Sequence, residues 1–138
     1  MIHITRREHF NAAHKLFNPK WSEEQNFEVF GKCANPNWHG HNYNLFVTVK
    51  GEVNKETGYS VNLKELSVII RTFITDKLDH KNLNLDVDFL KNLMPSTENV
   101  AIAIWNELKP HVDAINCQLH CIKLYETENN YVEYFGEQ

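Results

Sequence analysis

The chain has 138 residues, 42% of them hydrophobic and 12% aromatic, which suffices for the core of one domain without disulfide staples. A net charge of −4 without a Lys/Arg cluster argues against a nucleic-acid partner, and the lack of a long apolar run argues against a membrane partner or a signal peptide. The odd number of cysteines, three, favours a reducing, cytoplasmic location. We therefore expect one cytoplasmic domain over residues 1–138 that acts on a small molecule.

Two strands are predicted in the first part of the chain, and histidines lie at one end of both. Residues 2–14 alternate as a strand that ends at His14, and residues 41–53 alternate as a second strand. If the second strand begins at His39, then His39 and His41 point to its apolar face, because side chains two apart share a face. Two candidate ligands would then come from one strand end.

Two amphipathic helices are predicted in the middle of the chain. Asn62 can cap a helix whose apolar stripe continues to about Lys77. A second helix is predicted to begin at Ser96 and to end before Pro110, since the residue preceding a proline disfavours the helical conformation.

Two further strands are predicted over residues 119–127 and 131–135, with Asn129 and Asn130 as a turn pair because asparagine tolerates a positive φ. Paired strands with segregated helices predict the α+β class: a four-stranded antiparallel sheet with two helices on one face. The two open edges of so small a sheet favour oligomerisation.

The three histidines, His14, His39 and His41, are candidate zinc ligands. Neutral imidazole binds Zn²⁺ well, and three protein ligands leave one tetrahedral position for water or substrate, as in catalytic zinc sites. The alternative is that they are ordinary surface or hydrogen-bonded histidines. Gly40, between two of them, favours the metal site because it removes a side chain near the ion.

Cys33, close to the His39-Gly40-His41 run, has two roles open to it. As a fourth ligand it would close a structural Cys-His₃ site, whereas beside the metal its pKa would fall towards neutrality and the thiolate could act as a general base. The other two cysteines, Cys117 and Cys121, have no histidine at ligand spacing and are predicted to be structural.

Four acidic or hydroxyl residues and one more histidine complete the candidate site. Asp79 and His80 are adjacent, so the carboxylate could orient the imidazole for proton transfer. Glu126 continues an apolar strand face, so it either turns outward or accepts two N–H donors from a ring such as a 2-amino-4-oxo pyrimidine. Thr97 and Glu98 are at the start of the second helix and are alternatively only capping residues.

As a set, these residues resemble the 6-pyruvoyl tetrahydropterin synthase family over nearly the whole chain. Two positions depart from the family pattern: Ala13 replaces an expected serine, and Trp38 stands where a smaller residue is common. The motifs that carry the resemblance are Phe10-x-Ala12-x-His14, Gly31-Lys32-Cys33, His39-Gly40-His41-Asn42-Tyr43, Leu78-Asp79-His80-Lys81-Asn82-Leu83, Ser96-Thr97-Glu98-Asn99-Val100-Ala101 and Tyr125-Glu126-Thr127.

The resemblance implies a tunnelling fold (T-fold), in which three subunits close a twelve-stranded barrel and two trimers stack into a homohexamer with active sites at subunit interfaces. It implies a lyase that converts 7,8-dihydroneopterin triphosphate to 6-pyruvoyltetrahydropterin and triphosphate, with one Zn²⁺ per subunit and Mg²⁺ as a candidate companion of the triphosphate. The three histidines would bind the zinc. Cys33 would remove a proton, Asp79 and His80 would assist proton transfer, and Glu126 with the start of the second helix would anchor the pterin.

Three other functions stay open. The first is 6-carboxytetrahydropterin synthase of the queuosine and deazapurine route, which takes the same substrate and also releases acetaldehyde. The chain has five residues between Cys33 and His39, whereas a spacer of three residues is typical of the carboxy branch, so the spacer length favours the pyruvoyl branch. A non-catalytic oligomeric module with structural zinc would need a fourth protein ligand. A zinc hydrolase is disfavoured because the chain lacks a His-Glu-x-x-His arrangement.

Overall fold

A computed structural model describes residues 1–137, and its central feature is one five-stranded sheet. The strands are β1 (Ile2–His14), β2 (His39–Gly51), β3 (Lys81–Asn82), β4 (Gln118–Thr127) and β5 (Asn130–Tyr134). Their order in the sheet is β3-β1-β2-β4-β5. β1 and β2 pair antiparallel over their full lengths, from Ile2 opposite Gly51 to His14 opposite His39.

The predicted four-stranded antiparallel sheet was incomplete. Strands β1, β2, β4 and β5 are antiparallel neighbours as expected, but β3 adds to the outer side of β1 in parallel, opposite Ala12 and Ala13, so the sheet is mixed. Two residues carry too little periodicity to be recognised in a sequence. The turn between β4 and β5 is present, although neither Asn129 nor Asn130 has a positive φ.

The first predicted helix is present and lies where expected. Asn62 is its N-cap, and its side-chain oxygen accepts from the backbone N–H of Lys64 at 3.0 Å. The helix comprises α2 (Leu63–Ile70), a π-helical stretch (Arg71–Thr75) and a last turn, α3 (Asp76–Leu78).

The second predicted helix is longer than expected. α4 (Thr97–Asp113) continues past Pro110, although we expected it to end before that proline. A proline removes one N–H from the helix, but Leu108 and Val112 on either side are fully buried, and their packing offsets the lost bond. The carbonyl of Pro110 still accepts from the N–H of Ala114 at 3.2 Å.

A third helix, α1 (Glu23–Phe30), was not predicted because it has no apolar stripe; its only buried residue is Asn26. The signal that could have revealed it is at its ends: the hydroxyl of Ser22 accepts from the N–H of Gln25, and Gly31 ends the helix with a φ of 58°. A 3₁₀ turn (Gly31–Ala34) follows and carries Cys33.

The core lies between one face of the sheet and helices α2 and α4. Its side chains form one cluster, including the fully buried Phe10, Tyr43, Leu66 and Ile104. Within residues 1–137, no helix has the length and apolar character needed to cross a bilayer.

One carboxylate is buried on the core side of β1. Glu8 is 8% exposed, and its Oε1 accepts from Arg71 Nε at 2.7 Å and from the hydroxyl of Ser67 at 3.1 Å. Burial alone raises the pKa of Glu8, but the bonds from Arg71 and Ser67, together with nearby Arg6, hold the pKa of this carboxyl below its usual value. The network fastens α2 to β1.

We expect Glu8→Gln to lower the free energy of unfolding by about 1–2 kcal/mol at neutral pH, because charge-assisted hydrogen bonds are lost. The folded-state pKa lies below the unfolded value of 4.5, so this stabilisation is present above that pH and is lost as the pH falls. Urea unfolding of both proteins at neutral and acidic pH measures the difference. It should shrink in acid; a constant difference would contradict the assignment. Glu128→Gln, at an exposed turn, is the control.

Candidate metal centre

The pairing of β1 with β2 brings the three predicted histidines together. His14 is directly opposite His39, and His41 is opposite Ala12, so all three imidazoles lie on one face at the end of the two strands. Their ring centroids are 4.6 Å (His14 to His39), 4.8 Å (His39 to His41) and 5.1 Å (His14 to His41) apart. β2 does begin at His39, the condition on which the prediction depended.

Each ring presents one nitrogen to the centre of this cluster. These atoms are Nε2 of His14, Nδ1 of His39 and Nε2 of His41. They are buried and have no hydrogen-bond partner among residues 1–137, and the ligand atoms of the three residues lie within 4.8 Å of one another. Buried polar atoms are nearly always satisfied, so three converging unpaired nitrogens indicate a site suited to a cation. The residues therefore fit a metal ion.

The orientation of His14 is fixed by a backbone carbonyl. Nδ1 lies 2.7 Å from the carbonyl oxygen of Pro95, and because a carbonyl only accepts, Nδ1 carries the proton and Nε2 keeps its lone pair for a metal. The hydroxyl of Tyr43 is 3.4 Å from the same Nδ1. Pro95 immediately precedes the cap of α4, so the start of that helix orients a ligand on β1.

Burial also favours the neutral form of two of these imidazoles. His14 is 1% exposed, and desolvation lowers its pKa; the pKa of His39 is lowered by burial and then by the neighbouring His41. Neutral imidazole is the form that binds a metal ion. The glycine between the ligands contributes less than predicted, because a Cβ at Gly40 would make only an ordinary 3.6 Å contact with the carbonyl oxygen of Ala12.

Glu126 faces this cluster from β4, on the core side rather than outward. Its Oε2 is 3.8 Å from His14 Nε2, and its Oε1 is 3.7 Å from His41 Nε2. The buried hydroxyl of Thr97 donates to Oε2 at 2.7 Å. Thr97 is thus not the cap of α4; Ser96 is, since its hydroxyl accepts from the N–H of Asn99.

An open pocket adjoins this carboxylate, with a volume of about 360 Å³. Thr97, Glu98 and Glu126 all line it, together with Phe30 and Tyr131. Glu98 is exposed in the first turn of α4. The pocket offers carboxylate acceptors beside aromatic rings, a combination suited to a planar ligand rich in N–H donors.

Cys33 lies in the 3₁₀ turn that precedes β2 and is half-buried. Its carbonyl accepts from the N–H of Leu16 at 2.7 Å, which joins the turn to the residues just after β1. Within residues 1–137, the cluster of potential metal ligands consists of the three histidines without Cys33. The cluster therefore has three protein ligands.

Asp79 and His80 lie elsewhere, at the sheet edge next to β3. Asp79 Oδ2 is 2.9 Å from His80 Nδ1, while Oδ1 accepts from the backbone N–H of Asn11 at 2.8 Å. The Asn11 bond is the main reason that the pKa of Asp79 is lowered. The side chain of His80 is 78% exposed and lines a second pocket of about 550 Å³, which is also lined by His41.

Two groups that contact the His14 imidazole were not predicted from the sequence: the carbonyl of Pro95 and the hydroxyl of Tyr43. The carbonyl of Pro95 has no side-chain signal, so only a structure can find it. Tyr43 could have been found, because it shares the strand parity of His39 and His41 on β2 and follows them at the same spacing of two.

Comparisons with known proteins agree with this geometry. A family model described as 6-pyruvoyl tetrahydropterin synthase matches residues 3–137. A 6-pyruvoyl tetrahydrobiopterin synthase of Dictyostelium discoideum is 46% identical over 134 residues, which cover 97% of this chain and 96% of that protein. The solved structure of Caenorhabditis elegans 6-pyruvoyl tetrahydropterin synthase has a TM-score of 0.90 and 36% identity, and covers 99% of this chain and 96% of its own.

A more distant relative represents the other branch considered above. The 6-carboxy-5,6,7,8-tetrahydropterin synthase of Bacillus subtilis is 28% identical over 131 residues, which cover 91% of this chain and 80% of that protein.

We expect the purified protein to bind one divalent metal ion per chain and His14→Ala to reduce the bound metal to well below half, because the site loses its most buried ligand. Elemental analysis after dialysis measures the stoichiometry. His9→Ala, an exposed histidine on the same strand, should keep full metal content. Equal metal content in all three proteins would refute a site at this cluster.

Proposed function

The chain belongs to the 6-pyruvoyl tetrahydropterin synthase family of pterin-biosynthesis lyases, and from this premise we propose that it converts 7,8-dihydroneopterin triphosphate to 6-pyruvoyltetrahydropterin with release of triphosphate. The observation that carries the proposal is the convergence of three unpaired imidazole nitrogens beside Glu126, a carboxylate that also lines a pocket of about 360 Å³. Identity of 46% to a pyruvoyl-branch enzyme against 28% to a carboxy-branch enzyme supports the pyruvoyl product.

In this proposal His14, His39 and His41 hold one Zn²⁺ per subunit. Bound zinc supplies Lewis acidity: it withdraws charge from substrate oxygens and thereby acidifies the neighbouring hydroxyl and C–H groups. The protein prepares two of the ligands beforehand, because burial lowers the pKa of His14 and of His39, and the Pro95 carbonyl fixes the tautomer of His14.

Glu126 binds the pterin ring in this scheme. A carboxylate can accept two adjacent N–H donors from a 2-amino-4-oxo pyrimidine edge, and the Thr97 hydroxyl holds the carboxylate in one orientation at 2.7 Å. Glu98, on the rim of the same pocket, would contact the outer part of the substrate. This orientation of the pterin ring would direct the side chain of the substrate towards the histidine cluster.

Proton transfer is assigned to two groups on different elements. Cys33 is the proposed base that removes a proton from the substrate side chain, since the thiol lies in the turn just before the ligand strand β2. Asp79 and His80 would move a proton at a neighbouring subunit's site; Asp79, whose pKa is lowered, holds His80 through Nδ1 at 2.9 Å, and the imidazole is otherwise exposed.

We further propose a T-fold homohexamer, a dimer of trimers with active sites between subunits. Within residues 1–137, β1 has a neighbour on its outer side only at Ala12 and Ala13, and β5 is the other edge of the sheet. β1 of one copy can therefore pair with β5 of the next and close a barrel. The single cluster of buried side chains supports one domain per chain. Mg²⁺ would accompany the triphosphate. The three cysteines form no disulfide, which supports a cytoplasmic location.

Incubation of the zinc-loaded protein with 7,8-dihydroneopterin triphosphate tests the function. We expect triphosphate and a pterin with the mass of the pyruvoyl product, formed in step and without acetaldehyde. Acetaldehyde in step with triphosphate would instead identify the carboxy branch. Release of neither product by the metal-loaded protein would overturn the proposal.

We expect Cys33→Ala to keep stoichiometric zinc and to lower kcat by about 10²-fold or more, because a positioned base typically contributes that factor. Metal content and turnover are measured on the same sample. Cys121→Ala, which deletes a buried thiol of β4, is the matched control and should keep its activity. Loss of zinc together with the Cys33 thiol would show that Cys33 is a ligand rather than a base.

A further inference from the structure

Two residues that the proposed chemistry does not use flank the metal ligands in sequence. Lys15 follows His14, and Trp38 precedes His39. The Lys15 ammonium lies 4.4 Å from the ring centroid of Phe17 and 4.5 Å from that of Trp38. Among residues 1–137, Lys15 forms no ion pair with a carboxylate, so these two cation–π contacts are the interactions of its charge.

The backbone of Lys15 is also held on both sides. Its N–H donates to Asn84 Oδ1 at 3.0 Å, and its carbonyl accepts from Asn84 Nδ2 at 3.1 Å. The next residue, Leu16, donates its N–H to the carbonyl of Cys33 at 2.7 Å. The backbone of Lys15 is thus held by Asn84, and the residue that follows it is joined to Cys33 by a direct backbone hydrogen bond.

Trp38 marks the other end of the segment that carries the thiol. Its φ is 66°, a region that a bulky side chain seldom adopts, and its N–H closes a turn on the carbonyl of Asn35 at 3.1 Å. Such a conformation persists only where surrounding contacts hold it, and the Lys15 ammonium against the indole is one such contact. The five residues between Cys33 and His39 are therefore restrained at both ends.

From this geometry we propose that Lys15 and Trp38 are positioning residues, which clamp the Cys33 turn against the ends of β1 and β2 by holding one ammonium between two rings. This inference rests on the proposed function, in which Cys33 is the base. A base acts only within hydrogen-bond reach of its proton, and a displacement of about 1 Å can cost on the order of 10²-fold in rate. The clamp would therefore affect kcat while leaving the metal ligands in place.

Lys15→Met and Trp38→Gly test the clamp from its two sides. Methionine keeps an apolar stem without the charge, and glycine adopts the positive φ without strain while removing the ring. Lys20→Met is the matched control, an exposed lysine of the same loop. The readouts are the rate of alkylation of Cys33 by iodoacetamide, followed by peptide mass in the zinc-loaded protein, together with zinc content, kcat and KM.

We expect both variants to keep one zinc per chain, to alkylate at Cys33 about threefold faster or more because the turn opens locally, and to lose about tenfold in kcat with a smaller change in KM. The double variant should be no worse than either single variant, since both remove one contact. Lys20→Met should match the parent protein.

Two outcomes would overturn the clamp. In the first, Trp38→Gly keeps the parent alkylation rate and kcat. In the second, Lys15→Met raises KM at unchanged kcat while Trp38→Gly does not, which would show that Lys15 binds the triphosphate directly. Because alkylation requires no substrate, the clamp can be judged even if the parent protein fails to turn over the pterin triphosphate.

Discussion

The site depends above all on the register between β1 and β2. Antiparallel pairing places His14 opposite His39 and His41 two residues further along, so three imidazoles share one face. Because side chains alternate in a strand, a shift of one residue in β2 would turn His39 and His41 to the opposite face and bury Asn42 in place of Tyr43. The buried Phe10, stacked on Tyr43 at 4.7 Å between ring centroids, makes that shift costly. Core packing and metal geometry are thus set by the same pairing.

The helices act on this strand pair from one side. The segment that leads into α4 supplies the Pro95 carbonyl that orients His14, and the first residue of α4 supplies the Thr97 hydroxyl that orients Glu126. Neither group is a metal ligand, yet both determine which lone pairs face the cluster. The continuation of α4 past Pro110 also supports these contacts, because burial of Val112 helps to fix the helix against the sheet.

The sequence predicted what depends on strong periodicity. Both long strands, the Asn62 cap and the family were recovered, and the family is confirmed by the match over residues 3–137. β3 and α1 were missed because two residues and a helix without an apolar stripe give no periodic signal. The restriction on the residue preceding Pro110 gave the wrong end for α4, since tertiary burial outweighed the local effect of one proline. The Pro95 contact was beyond sequence reasoning because it uses a backbone carbonyl.

The position of Asp79 and His80 separates their role from that of the histidine cluster. A proton shuttle works best where water is excluded, yet the His80 side chain is 78% exposed, at the edge of the sheet beside β3. The Asn11 backbone nevertheless fixes Asp79, and His80 adopts a φ of 60°, so the pair is held rather than free. Side chains that are fixed in position but exposed to solvent are typical of a subunit interface when only one subunit is considered. Within residues 1–137, the outer edge of β1 before Ala12 has no neighbouring strand, so a second copy that pairs with this edge would also approach Asp79 and His80. Edge pairing and completion of the active site would then be one event, which gives a physical reason for the proposed enzyme to be an obligate oligomer.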